Sequence, residues 1–394
     1  MPLDSFRLAI RRVARGDRHA LATTTGVAVL ISSIVLPAAV VSRPGAAAAD
    51  TTSAWTTSTV LTGSALHHHV PGVGTETLSQ PDDLARLGDA LFTIFQNDVG
   101  PDGTASPTGN LDSTIVEFTA RGEVLGQWDL AGHGDGIAAD PWRHVVVVTV
   151  NEDANASMYT IDPAGQGTGQ VRHYSFDPNP LPHGGGTDAV SFFGRDLLVS
   201  ASNPSVANGP AVYEADLDGT TAHLTEVFGD QSTATMANTP GSGGTTTLAL
   251  TDPDSNAVVP GSSPRFAGQF ELDSQGDEQQ VFLPSADSPD HGLSVLGLDQ
   301  SVNDSAWVTD AQGTLFVTQK GAGNVVAVDG PFHEGTVFVA VTPCNANGAP
   351  TTCPASGFPA NYLGTENLFT GDVDPAAPTA LGSLQPQGLL FVAL

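Results

Sequence analysis

HGDGIAADPWRHVVVVTVN, running from His133 to Asn151, is the stretch that decides the fold. Asp135, between two glycines, opens a short run of small and apolar residues. Asp140-Pro141 then breaks the chain into a turn. Val145 to Val150 is a second, mostly apolar run, and Asn151 ends it. The same order recurs elsewhere. Asp83-Leu84-Ala85 leads to Ala90–Gln96 and Asn97, and Asp188-Ala189-Val190 leads to Leu197–Ser202 and Asn203. Asp304-Ser305-Ala306 leads to Thr314–Thr318 and Gln319. From the opening Asp to the closing amide the spacings are 14, 16, 15 and 15 residues. An alternating third run follows each copy: Ser113–Phe118, Ser157–Asp162, Ala211–Asp216 and Asn324–Asp329. A fourth is visible at Val124–Leu130. Four strands repeated at a period near 50 residues (the Asp residues at 83, 135 and 188 stand 52 and 53 apart) describe the blade of a β-propeller.

The expected fold is therefore all-β: a single β-propeller over residues 80–394, with six blades of four antiparallel strands. Five or seven blades also fit. A degenerate copy is placed around Thr245–Asp252, after the Gly-rich run 241–244. The terminal run Gly388–Val392 is expected to pair with the first blade, so that no sheet edge stays open.

Two motifs carry a resemblance. His133 to Pro141 before a Val-rich strand, and Gly313–Thr318 before Asn324-Val325-Val326, resemble the NHL-type propellers. That group includes gluconolactonase-like and streptogramin-lyase-like enzymes together with many binding proteins. The resemblance covers most of 80–394 and concerns the fold. It implies that a channel histidine and a divalent metal belong to any lyase chemistry, which makes His183 the candidate.

In a propeller the entry to the innermost strand and the loop after the second strand open on one face. The repeat thus directs Asp83, Asp135, Asp188 and Asp304, with Asn97, Asn151, Asn203 and Gln319, toward the channel mouth. Carboxylate and amide oxygens suit Ca²⁺ or Mg²⁺. Asp135, Asp188, Asp304, Asn151 and Asn203 are the candidate metal ligands. The competing reading is that each Asp bonds N–H groups of its own turn. Glu152, in the acidic loop 151–155, and His183, in the HGGGTD run that ends at Asp188, are the candidate catalytic acid or base. For both, a plain loop role is the alternative. His133 and His291 also precede an inner-strand entry, and His67-His68-His69 lies in the lead-in. No Gly-x-Ser-x-Gly elbow, His-Glu-x-x-His, Walker loop or dinucleotide fingerprint is present.

Outward from the repeat, the first 49 residues read as a signal peptide: arginines at 7, 11, 12, 15 and 18, an uncharged run from Ala20 to Val41, and small residues at 46–49. An uncleaved signal anchor is the alternative. Residues 50–79 read as a lead-in to the propeller. The chain carries 13 basic and 42 acidic residues, and segment 1–49 holds six and two of them, so the remainder has a net charge of 7 − 40 = −33. Such a field repels nucleic acid and anionic lipid and suits a secreted, extracellular protein. After signal cleavage no stable membrane insertion is expected. Cys344 and Cys353, the two cysteines, read as a short local disulfide. The expected function is extracellular binding of a small molecule or partner, or scaffolding, with Ca²⁺ or Mg²⁺ at the channel mouth. A metal-dependent lyase or lactonase acting at the channel is the alternative.

Overall fold

The computed structural model describes residues 54–286, 292–342 and 361–394. Residues 1–49, read from sequence as a signal peptide, lie outside them, as do His291, Cys344 and Cys353. The sequence reads correctly as all-β with a propeller arrangement: the strands form antiparallel groups of four, the first four groups consecutive in the chain.

The first group is Pro81–Leu87, Ala90–Phe95, Asp112–Phe118 and Val124–Ala131. The second is Gly134–Asp140, Val145–Val150, Ser157–Ile161 and Val171–Asp177. The third is Thr187–Phe193, Asp196–Ala201, Pro210–Asp218 and Thr221–Gly229. Groups two and three join along their outer strands, where Ser175–Asp177 run parallel to Thr221–His223. The fourth is Pro253–Val258, Phe270–Ser274, Gln279–Leu283 and Ser294–Gly297. A hairpin of Thr233–Met236 and Thr245–Thr247 extends its outer edge. The degenerate copy placed at Thr245–Asp252 is thus corrected: the group opens at Asp254, and Thr245–Thr247 belong to that edge hairpin.

The last two groups interleave. Val302–Trp307 pairs with Val337–Val341, followed by Tyr362–Glu366 and Val373–Pro375. Gly313–Gln319 lies instead in the next sheet, between Leu389–Ala393 on its inner side and Asn324–Asp329 on its outer side. Thr56–Thr62 completes that sheet as its outermost strand. Three sequence expectations change. The copy from Asp304 to Gln319 spans two sheets, and the terminal strand pairs with Gly313–Val317 rather than with the first blade. Residues 56–62, read as lead-in, are part of the propeller. The physical reason is closure: an inner strand from one end of the described chain and an outer strand from the other share one sheet, which ties the two ends together.

The Val-rich strand shows how the groups stack. Val146, Val148 and Val150 are buried against Ile94, Ile115 and Ile137, between groups one and two. Val147 faces the other way, with Val190, Leu197 and Val199 of group three. A strand covered on both faces needs a continuous apolar run rather than alternation.

Candidate functional site

The innermost strands of the first four groups carry the same irregularity. Register slips between Pro81 and Leu84, Gly134 and Ile137, Thr187 and Val190, and Pro253 and Asn256. In each, two residues oppose one on the neighbouring strand, which is a β-bulge and re-aims its side chains. The bulged pairs are Asp82-Asp83, Asp135-Gly136, Asp188-Ala189 and Asp254-Ser255. A smaller slip in the fifth group falls at Asn303-Asp304, and Gln387-Gly388 precede the innermost strand of the sixth.

Two levels result. The second-position acids are structural. Asp83 accepts N–H bonds from Leu84 (2.6 Å) and from Ile137 of the next group (3.0 Å). Asp304 accepts from Ser255 Oγ (2.6 Å), its neighbour Ser305 N–H (2.7 Å) and Leu389 N–H of the closing sheet (2.5 Å). Both strap adjacent groups together, and Asp304, expected as a metal ligand, has its oxygens committed to these bonds. A carboxylate accepting several N–H and O–H donors is a built-in part of the turn.

The first-position residues form the site: Asp82, Asp135, Asp188 and Asp254, with Asn303 and Gln387 completing the circle. Oxygens of Asp135, Asp188 and Asp254 lie within 4.8 Å of one another. Asp188 is 2% exposed; one of its oxygens accepts from Ser202 Oγ at 3.0 Å and the other is buried without a partner. Burial first, and then the charge of Asp135, hold the Asp188 carboxyl well above its usual range. Burial and the neighbouring acids Asp252 and Asp135 do the same to Asp254. Asp82 is pushed up to about 7, mainly by burial, although the Lys320 ammonium 3.5 Å away opposes the shift. Hydroxyls of second strands set the backbone beneath these acids. Thr149 Oγ1 donates to the Asp188 carbonyl and accepts from Gly136 N–H at 3.0 Å; Thr318 Oγ1 donates to the Asp82 carbonyl. Gly136 must lack a side chain, because a Cβ there would sit 2.6 Å from the Ala189 backbone.

Above this layer stand His133 and Glu152. His133 is 5% exposed, and its Nδ1–H donates to the Val99 carbonyl at 2.6 Å. The ring is thereby fixed as the tautomer with a bare Nε2, which has no hydrogen-bond partner and lies 3.6 Å from Glu152 Oε1. His133, Asp135 and Glu152 form a second group of ligand atoms within 4.8 Å. Burial lowers the His133 pKa, while burial and Asp135 raise that of Glu152.

Other expected residues lie outside this cluster. His183 is 1% exposed; its Nδ1 accepts from Gly185 N–H at 3.2 Å, and the ring packs near Tyr213. Burial lowers its pKa to about 4. Two of the glycines after it serve packing: a Cβ on Gly185 would fall 2.6 Å from the Ser202 carbonyl, and one on Gly186 1.9 Å from the Asn151 carbonyl. Asn151 spends its side chain on its own loop, accepting from His133 N–H (2.8 Å) and donating to the Asn155 carbonyl (3.0 Å). Asn97, Asn151 and Asn203 all have positive φ (53°, 70° and 54°), the conformation asparagine tolerates best after glycine. Their recurrence is therefore turn chemistry. Sequence reasoning missed Asp82, Asp254 and Lys320. A finer count finds the first: Asp82, Asp135 and Asp188 stand 53 apart at both steps.

A cavity of about 30 Å³ is lined by Asp82, Asp135, Asp254, Asn303 and Gln387 of the acidic circle, with Asp83 and Asp304. A larger groove of about 770 Å³ lies away from the channel, at the outer edge of groups two and three. There Arg195 covers Trp142, and Arg143 lies 3.8 Å from Asp140.

No protein-family profile matches the sequence, and no curated protein matches it. Solved structures with a similar arrangement include a nidogen/laminin complex, at 11% identity over 86% of this chain and 99% of that one, with a TM-score of 0.43. A Bacteroides caccae protein of unknown function is similar at 11% identity over 81% and 90%, with a TM-score of 0.41. A putative 6-phosphogluconolactonase from Bacteroides uniformis is similar at 12% identity over 83% and 94%, with a TM-score of 0.38. Likenesses at this level carry no functional information.

Proposed function

We propose that this chain is an exported, acidic binding propeller that holds a divalent cation at the mouth of its channel. One observation carries the reading: three carboxylates from three successive innermost strands converge within 4.8 Å, and one of their oxygens is buried and unpartnered. Packed carboxylates repel unless protons or cations neutralise them. Oxygen donors alone favour Ca²⁺ or Mg²⁺. Asp135, Asp188 and Asp254 would hold the ion, and Asp82 with Lys320 would border it.

A water needs roughly 10–15 Å³ of such space, so the cavity of about 30 Å³ beside Asp82, Asp135 and Asp254 suits an ion with a water or two. The lyase or lactonase alternative relies on His183, whose Nδ1 accepts from Gly185 of its own loop. The small molecule or extracellular partner would meet the ion from the open side, near Glu152. Secretion is part of the proposal and rests on the N-terminal segment. The test is calorimetric titration of metal-free protein with CaCl₂ and MgCl₂. Saturable binding that Asp254→Asn removes supports the reading; heats no larger than those of matched NaCl overturn it.

A further inference from the structure

We propose that the channel mouth is a two-cation centre, in which Asp135 bridges the oxygen-only site to a second site of different metal preference formed by His133, Asp135 and Glu152. This deepens the proposed function and rests on it for the first ion. Asp135 belongs to both ligand groups. The second group has a feature that the first lacks: an imidazole already prepared as a metal ligand. The Nδ1–H bond to the Val99 carbonyl fixes the tautomer, and Nε2 stays bare. A backbone carbonyl behind a ligating histidine is the usual outer support of such sites. Each group thus contributes one buried polar atom without a partner, Nε2 of His133 and an oxygen of Asp188, in residues 5% and 2% exposed.

Asp82, Asp135, Glu152, Asp188 and Asp254 crowd this mouth, and the Lys320 ammonium lies 3.5 Å from Asp82. Nitrogen beside carboxylate favours a first-row transition ion over Ca²⁺. The second site should therefore take an ion of the Mn²⁺–Zn²⁺ series, while the first keeps Ca²⁺ or Mg²⁺.

Cobalt(II) is the probe, because its visible absorption reports nitrogen ligation and coordination number. Purified protein saturated with Ca²⁺ is titrated with CoCl₂. The expected result is one Co²⁺ per chain with Ca²⁺ retained. His133→Gln should lose Co²⁺ at least tenfold in affinity and keep Ca²⁺. Asp254→Asn should do the reverse, and Asp135→Asn should lose both. Ca²⁺ binding without any Co²⁺ site that depends on His133 overturns this inference and leaves the proposed function standing. Co²⁺ that displaces Ca²⁺ one for one overturns the paired centre. Absence of Ca²⁺ binding in the wild type overturns the proposed function and the pair together. Should a variant fail to fold by circular dichroism, the wild-type stoichiometry decides alone: two ions support the centre and one overturns it.

Discussion

At the scale of single residues, neighbouring acids on one bulge do different work. Asp82 faces the channel and Lys320, while Asp83 beside it is a strap that accepts N–H groups from two strands. The difference is one of direction: successive side chains on a strand point to opposite sides, and a bulge resets which side faces the channel. The Thr149 hydroxyl makes a similar strap, bonding the Asp188 carbonyl and Gly136 N–H together. Thr149→Val keeps the shape but leaves both groups unpaired and buried, an expected loss of about 1–3 kcal/mol. Urea melts with an unchanged slope and a lower midpoint would show it, and Thr149→Ser should recover most of the loss. A midpoint equal to wild type would mean that the strap is dispensable.

At the scale of elements, stability is expected to reside between groups of strands. Ile94 is fully buried against Val146, Val148 and Val150 of the next group. Ile94→Ala should cost about 2–5 kcal/mol through lost burial and the cavity left behind; a loss under 1 kcal/mol would show that the two groups close over the gap. Between groups four and five an apolar cluster also holds a buried carboxyl. Glu271 is fully buried, with bonds from Gln280 Nε2 (3.0 Å), Ser305 Oγ (3.0 Å) and Trp307 Nε1 (2.6 Å). Burial, with Glu366 close by, pushes its pKa from 4.5 up to about 8. A carboxyl that is more basic when folded binds more protons in the native state. Its effect is therefore to lower stability as pH rises from about 4.5 to about 8. Glu271→Gln removes the charge and keeps the shape. It should raise the melting temperature more at pH 8.5 than at pH 5, and an equal change at both would show that Glu271 is ionised throughout.

At the scale of the whole molecule, the charge must be offset somewhere. Residues 50–394 carry a net charge of −33, and part of that charge is concentrated at one channel mouth. Ca²⁺ or Mg²⁺ at about 100 times its Kd should add roughly 2.7 kcal/mol to stability, a melting shift of about two degrees or more. NaCl at equal ionic strength is the control for screening. Identical melting in CaCl₂, MgCl₂ and NaCl would leave the acidic circle as turn architecture. Closure is also a property of the whole: strands 56–62 and 389–393 lie in one sheet but do not touch each other, since Gly313–Gln319 and Asn324–Asp329 lie between them.

The sequence by itself determined the all-β class, the propeller repeat through the first three groups, and the region where acids gather. Those features are local: an Asp at a bulge, an apolar run buried on both faces and an Asn that accepts positive φ each leave a mark within about 16 residues. Only the tertiary structure decided which acid of a pair faces the channel, because one slip in register reverses every side chain after it. It also decided the surroundings of two histidines that both precede an inner strand: the His133 ring, bonded to the Val99 carbonyl, lies beside Glu152, whereas His183 accepts from Gly185 N–H and lies near Tyr213. The interleaving of the last two groups was illegible for the same reason. Gly313–Gln319 follows Val302–Trp307 closely in the chain, yet its partners are Asn324–Asp329 and a terminal strand some 70 residues further on. Strand pairing over that distance is set by closure of the ring and leaves no local pattern to read.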